Sequence, residues 1–224
     1  MARDRITVAL PKGKLFQPSV NLLRETGLPW EELHEESRQL VFEYEPENGC
    51  DLGVKYIFCR PTDIPTFVEY GAADLGIVGK DTIAEEDKYV FEILDLKYGY
   101  CRMVVAVPQD LAERGDISRF SHTRVATKFP HVTDVFFREK GVQVEVIKLH
   151  GNIELAPSVG LSDLIVDIVS SGRTLKENNL VVLEEMFPAT ARLIANRVSY
   201  RMKFATLQPL IEKMRLAVEK GGLE

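Results

Sequence analysis

Short apolar runs rich in β-branched residues alternate along the chain with segments of helical periodicity. The runs that predict buried strands are residues 6–10, 40–44, 52–59, 75–78, 101–108, 124–128, 144–149, 164–169, 181–187 and 191–198. Helical spacing of apolar residues predicts helices over residues 18–26, 62–70, 131–140 and 204–219. The last of these has one apolar face, formed by Leu207, Leu210, Ile211, Met214 and Val218. Strands that alternate with helices indicate an α/β protein.

The order of these elements predicts two α/β lobes. We expect the chain to cross from one lobe to the other near Lys97 and to return near Lys176. The first lobe would then comprise residues 1–97 and 176–224, and the second residues 98–175, with a ligand-binding cleft between them. A turn-rich segment, PENGCD at residues 46–51, is predicted to separate two strands of the first lobe.

Charge and composition narrow the classes of function. The 224 residues carry a formal net charge of −6, so the molecule as a whole repels nucleic acids and anionic membranes. An anionic ligand must therefore be held by local cations and backbone N–H groups. The three cysteines (Cys50, Cys59 and Cys101) and four scattered histidines lack metal-binding spacings, which favours free thiols over a zinc site. Because no signal-peptide core and no run of ~18 apolar residues occurs, we expect a soluble cytoplasmic protein.

The segment IVDIVSSGRTLKENN, residues 165–179, places Asp167 inside an apolar run and follows it with small polar residues. A run buried on both faces is typical of a central parallel strand, and ligands of such sheets bind at the carboxyl ends of strands. Gly172 permits a positive φ, while Ser170, Ser171 and Thr174 supply hydroxyls before a helix start. Two interpretations remain open here: a phosphate cradle, or a plain strand, turn and capped helix with a salt-bridged Asp167.

Other charged residues admit similar pairs of interpretation. Glu154 and Asp163 lie just upstream of the proposed cradle and suit a ribose diol or magnesium. The alternative interpretations are helix N-terminal capping for Glu154 and surface charge for Asp163. Lys12 and Lys14 flank Gly13 after the first strand, as either a second anion site or a solvated basic turn. The segment DLGIVGKDT, residues 74–82, lacks the first glycine and the Ser/Thr of a P-loop. Spacing alone gives the two isolated arginines, Arg38 and Arg60, no role beyond ion pairing.

An ordered set of segments resembles the catalytic subunit of the ATP phosphoribosyltransferase family. The segments are VALPKGKL, FCRPTDIPTFVEYGAADLGIVGKD, DLKYGYCRMVVAVP, RVATKFPHVT and GNIELAPSVGLSDLIVDIVSSGRTLKENNL. The resemblance implies two α/β lobes like those of type II periplasmic binding proteins, with the catalytic cleft between them. It implies attack by N1 of the ATP adenine on C1 of 5-phosphoribosyl 1-diphosphate with release of pyrophosphate, the first step of histidine biosynthesis. Ser171 stands where threonine is frequent in the family motif, a change that keeps the hydroxyl.

The resemblance also implies roles for individual residues. The residues expected in catalysis are Lys14, Arg38, Arg60 and Asp167. Those expected to bind phosphoribosyl diphosphate are Glu154, Asp163, Asp167, Ser170, Ser171, Gly172, Arg173 and Thr174, with Arg173 acting through its backbone N–H. Those expected to bind ATP or pyrophosphate are Lys12, Lys14, Asp74, Gly76 and Tyr98, with Gly99 beside them. The implied cofactor is Mg²⁺, near Asp163 or Asp167.

The partners implied by the resemblance depend on the form of the enzyme. The chain resembles the short form, because no residues after the closing helix could make the regulatory domain of the long form. Short-form members are dimers whose arginines can act across the interface, and they join a regulatory subunit similar to histidyl-tRNA synthetase. One alternative is a non-catalytic two-lobed module that binds small anions. A second is a nucleobase phosphoribosyltransferase, but the two adjacent acids of such enzymes are absent, because Ile168 follows Asp167. A third is the effector domain of a transcription regulator, but no helix-turn-helix precedes the first strand.

Overall fold

The computed structural model describes residues 5–46 and 52–223. Apart from Pro46, the predicted PENGCD turn lies outside the described residues, and so does Cys50. The chain forms two compact units. The first contains Met1–Gly99 and Thr190–Glu224, and the second contains Tyr100–Ala189.

Strands and helices alternate as the sequence predicts. The strands are β1 (Arg5–Pro11), β2 (Val41–Tyr44), β3 (Gly53–Cys59), β4 (Leu75–Gly79), β5 (Phe91–Asp95), β6 (Cys101–Pro108), β7 (Thr123–Thr127), β8 (Val144–Lys148), β9 (Leu164–Val169), β10 (Leu180–Ala189) and β11 (Ala191–Ala195). The helices are α1 (Phe16–Glu25), α2 (Ile64–Glu69), α3 (Lys80–Glu86), α4 (Pro130–Glu139), α5 (Leu155–Ser158), α6 (Arg173–Glu177), α7 (Arg197–Met202) and α8 (Phe204–Lys220). In the described part of the chain, no helix combines the length and the apolar character needed to cross a bilayer.

The first unit is built on a six-stranded sheet in the order β2-β3-β1-β4-β11-β5. β1 pairs in parallel with β3 and β4, whereas β2 and β11 run antiparallel to their neighbours. α8 buries its predicted apolar face, including Leu207 and Met214, in the same cluster as Ile6 of β1 and Leu22 of α1. Because β1, β3 and β4 are parallel, they end at one common edge of the sheet, which carries the candidate anion loop at residues 12–14.

The second unit contains a five-stranded sheet in the order β10-β6-β9-β7-β8. β9 is central as predicted, but it is parallel only to β7 and antiparallel to β6. Its first three residues are fully buried, whereas Asp167 is half-buried and Ile168 is 39% exposed. The expectation of a strand buried on both faces along its whole length is therefore wrong: the ladder with β7 ends at Val166, and beyond it β9 is paired only with β6.

The return between the units falls later than expected. We predicted it near Lys176, but the pairing of β10 with β6 runs from Leu180 opposite Pro108 to Ala189 opposite Cys101. This ladder keeps residues 176–189 with the second unit, so the return lies at Thr190. The crossing out lies at Gly99–Tyr100, close to the predicted Lys97.

Smaller differences between the predicted and the observed elements arise at element ends and at short elements. The predicted strand 191–198 ends at Ala195, because the Asn196 side chain accepts the N–H groups of Val198 and Ser199 and starts α7. The helix predicted over residues 62–70 is observed as α2 from Ile64 to Glu69, because a 3₁₀ turn over Pro61–Asp63 precedes it. The sequence patterns did not predict α3 and β5, which are short elements of seven and five residues.

Candidate active site

The loop between β9 and α6 closes a pocket at the carboxyl end of β9. The pocket is about 200 Å³, smaller than the ~300–1,000 Å³ that encloses a whole drug-sized ligand, and so suits one phosphate-bearing end of a ligand. Its lining residues are Glu154, Asp167, Ile168, Val169, Ser170, Ser171, Gly172, Thr174 and Leu175. Of the five residues predicted as a cradle, four line the pocket, while the side chain of Arg173 is exposed outside the lining.

Gly172 has the left-handed conformation predicted for it, with φ 75° and ψ 1°. A Cβ atom at this position would lie 3.9 Å from the Val169 side chain, which is an ordinary contact. Glycine is therefore required here by the backbone angle and not by lack of space. The Arg173 N–H reaches the Ser171 hydroxyl at 3.4 Å, a long contact that leaves this N–H weakly satisfied.

Two of the three candidate acids meet in this pocket. Glu154 immediately precedes α5 and is half-buried, and its side chain makes no capping hydrogen bond there. The capping interpretation of Glu154 is therefore wrong. Asp167 is also half-buried, and its Oδ1 accepts the Ile168 N–H at 2.8 Å. The pocket thus joins two carboxylates to the hydroxyls and backbone of residues 170–174.

Asp163 lies at the opposite end of β9. Its carboxylate accepts the Arg124 N–H and its own N–H donates to the Arg124 carbonyl, both at 2.9 Å, so it joins the starts of β9 and β7. The six residues of β9 place it roughly 20 Å from the loop. Its placement does not support the expected role in binding ribose or magnesium, because the carboxylate already serves as a strand-pairing group.

The first unit gathers a set of cations at one sheet edge. Lys12 follows β1 and Arg60 follows β3, and these parallel strands are in register with Pro11 opposite Cys59. β2 runs antiparallel to β3, and the Phe58 N–H donates to the Leu40 carbonyl at 2.8 Å. Arg38, two residues before Leu40, therefore reaches the edge where β1 and β3 end. Spacing in the sequence could not reveal this, because only the antiparallel pairing of β2 brings Arg38 there.

These cations differ in how firmly they are held. The Lys12 ammonium donates to the Ser37 carbonyl at 2.9 Å and lies 5.8 Å from the centre of the Phe58 ring. Lys14 is exposed. Arg38 and Arg60 are also exposed, and within residues 5–46 and 52–223 neither side chain makes an ion pair or hydrogen bond. The guanidinium groups are thus available to an anion at this edge.

Asp74 and Gly76, expected to bind nucleotide, serve the core instead. Asp74 is 5% exposed and lies before β4, where its carboxylate accepts from the Thr7 N–H at 2.9 Å and from the Lys203 ammonium at 2.7 Å. A Cβ at Gly76 would come within 2.8 Å of the side chains of Ile64 and Val68, so the glycine lets α2 lie close to β4. Neither placement supports the expected contact with ATP or pyrophosphate.

Tyr98 and Gly99 are also structural. Tyr98 is 1% exposed, and its hydroxyl hydrogen-bonds with that of Ser19 at 3.0 Å. Burial raises the pKa of the Tyr98 hydroxyl, which therefore stays neutral. A side chain at Gly99 would collide with Leu15. Both residues hold the start of α1 against the crossing segment, and the expectation that they line a nucleotide pocket is not supported.

Comparison with known proteins decides the family. The model of the family described as HisG, ATP phosphoribosyltransferase, matches residues 60–216, well over half of the chain. The chain belongs to the ATP phosphoribosyltransferase family. Relatives named ATP phosphoribosyltransferase from Moorella thermoacetica and Desulfitobacterium hafniense are each 55% identical, over 99% of this chain and 97% and 100% of their own lengths. The predicted resemblance is confirmed.

Solved structures agree with this family and with a fold like that of periplasmic binding proteins. The chain matches a structure titled ATP phosphoribosyl transferase (HisG:HisZ) complex from Thermotoga maritima with a TM-score of 0.79 and 36% identity, covering 96% of this chain and all of that one. A histidine kinase sensor domain similar to periplasmic binding proteins matches with a TM-score of 0.60 at 10% identity, which shows the fold alone. The chain is therefore a pentosyltransferase of histidine biosynthesis, with the predicted periplasmic-binding-protein-like fold, and the non-catalytic binding module is not favoured.

Proposed function

We propose that the pocket at the end of β9 binds the phosphoribosyl group of 5-phosphoribosyl 1-diphosphate, whose C1 is attacked by N1 of the ATP adenine. The observation that carries this proposal is the left-handed Gly172, which turns residues 170–174 around a pocket containing two carboxylates. Backbone N–H groups and hydroxyls are suited to a phosphate group, and carboxylates accept hydrogen bonds from ribose hydroxyls. The reaction consumes ATP and releases pyrophosphate.

The chemistry demands positioning and charge more than a nucleophile from the protein. As the bond from C1 to pyrophosphate breaks, positive charge grows on the ribose and negative charge on the leaving group. Asp167 and Glu154 would stabilise the ribose side, while the exposed guanidinium groups of Arg38 and Arg60 and the ammonium groups of Lys12 and Lys14 would balance the phosphates of ATP and pyrophosphate. Alignment of the two substrates supplies the rest of the rate enhancement.

The donor set in the pocket also fits magnesium. Mg²⁺ prefers oxygen ligands and is usually bound by one or two carboxylates together with substrate phosphates. Glu154 and Asp167 are the two acids that line the pocket, so they are the residues we assign to it. Bound there, the ion would neutralise charge on the diphosphate.

The assembly we propose follows that of the solved relative. That structure is a HisG:HisZ complex, and it matches this chain over nearly its whole length. We therefore propose that the chain joins a HisZ-like regulatory subunit, that it forms a homodimer in which Arg38 and Arg60 can act on the neighbouring copy, and that it works in the cytoplasm.

An assay of pyrophosphate release tests the proposed function. The protein is mixed with ATP, phosphoribosyl diphosphate and MgCl₂, with and without a HisZ subunit, and adenine and hypoxanthine replace ATP as controls. We expect release that requires ATP and gives phosphoribosyl-ATP by mass spectrometry. Release that proceeds equally well without ATP, or no release even with the regulatory subunit, would rule the proposal out.

A further inference from the structure

The loop between β1 and α1 binds a carboxylate of the protein itself, the side chain of Glu35. Glu35 Oε1 accepts the backbone N–H of Gly13 at 2.8 Å. Gly13 has φ 84°, and a Cβ built on it would meet no atom within 4 Å. The Gly13 N–H therefore lies in an open left-handed turn, just after the carboxyl end of β1, and donates to the Glu35 carboxylate.

The surroundings of this hydrogen bond favour negative charge. Gly13 lies between Lys12 and Lys14, and the Lys12 ammonium is fixed on the Ser37 carbonyl, two residues from Glu35. Arg38 follows at the same sheet edge. Glu35 itself is exposed, so its carboxylate loses little by returning to water. A phosphate oxygen brought to this edge has the same hydrogen-bonding requirement as the carboxylate and carries more charge.

We infer that the Gly13 N–H is a binding group for a phosphate oxygen of the polyphosphate substrates, and that Glu35 is an internal competitor that this oxygen displaces. The inference rests on the proposed function for the identity of the substrates, but the competition concerns any pyrophosphate-like anion. One N–H donates to one acceptor at good geometry, so carboxylate and phosphate exclude each other. The wild-type affinity for such an anion is therefore lower than the cationic edge alone would give.

Calorimetric titration with inorganic pyrophosphate, the product of the reaction, tests this competition. Glu35→Ala removes the competitor, and Glu36→Ala is the matched control, because Glu36 is an exposed neighbour whose loss changes the net charge equally. We expect Glu35→Ala to bind pyrophosphate roughly two- to tenfold more tightly than Glu36→Ala, the range that corresponds to one net hydrogen bond. Glu35→Gln, which keeps a neutral acceptor, should lie between them.

The opposite results would overturn the inference. Equal affinity of Glu35→Ala and Glu36→Ala would mean that Glu35 does not compete, and weaker binding by Glu35→Ala would mean that Glu35 instead holds the loop in its binding conformation. Failure of the proposed function is distinguishable, because pyrophosphate binding requires no turnover. A protein that converts ATP and phosphoribosyl diphosphate, yet shows equal affinity in the two variants, retains the function and loses this inference.

Discussion

Gly172 holds the turn after β9 at φ 75°, where an ordinary side chain costs about 1–2 kcal/mol. The glycine is predictable from the sequence, since Ser-Ser-Gly after an apolar run indicates a turn with a positive φ. The observed roles of Asp74 and Tyr98 could not be predicted from the sequence in the same way. The family resemblance implied ligand contacts, but Asp74 pairs with Lys203 and Tyr98 with Ser19, both brought in from distant parts of the chain.

Gly172→Ala should weaken binding of phosphoribosyl diphosphate at least tenfold, because a side chain disfavours the left-handed backbone that turns residues 170–174 around the pocket. Gly141→Ala is the matched control: Gly141 is in the same unit, has φ 70°, and a Cβ added to it would meet no atom within 4 Å. Urea unfolding should show a similar loss of about 1–2 kcal/mol in both variants, while calorimetry shows lost affinity only in the first. Equal affinity in the two variants would remove the cradle from the mechanism.

At the scale of elements, the strands with the strongest apolar character were predicted best. The run CRMVVAVP coincides with β6 from Cys101 to Pro108, and LIVDIV coincides with β9. Partners of strands were less predictable, because pairing depends on residues far apart in sequence. β10 continues to Ala189 since β6 offers it a full ladder, and the antiparallel β2 carries Arg38 to the edge where β1 and β3 end.

Loss of a carboxylate should lower activity in the pocket at the carboxyl end of β9 but not at the start of that strand. Asp167→Asn and Glu154→Gln should each lower kcat/KM for phosphoribosyl diphosphate by ten- to a thousandfold, because both carboxylates line the pocket. Asp163→Asn should leave kcat/KM within about twofold and cost roughly 1–2 kcal/mol of unfolding free energy, since it weakens the hydrogen bond to the Arg124 N–H. Steady-state kinetics and urea unfolding of the three variants check this. A catalytic defect in Asp163→Asn at unchanged stability would reverse the assignment.

At the scale of the whole molecule, two α/β units divide the charged groups between them. The second unit carries the acids and hydroxyls of the β9 pocket, and the first unit carries the exposed cations beyond β1 and β3. Sequence alone predicts two lobes and the pocket loop. It does not predict that residues 176–189 belong to the second unit, since that depends on the ladder between β10 and β6.

The central claim is that the loop after β9 is where phosphoribosyl diphosphate binds. Hydrogen–deuterium exchange, measured with and without phosphoribosyl diphosphate and MgCl₂, tests it most directly. We predict slower exchange in peptides that cover residues 170–177 and 152–158, and unchanged exchange at Arg124 and Asp163, whose N–H groups lie at the far end of the strands. Unchanged exchange across residues 170–177 at saturating ligand, with protection confined to other parts of the chain, would contradict the account.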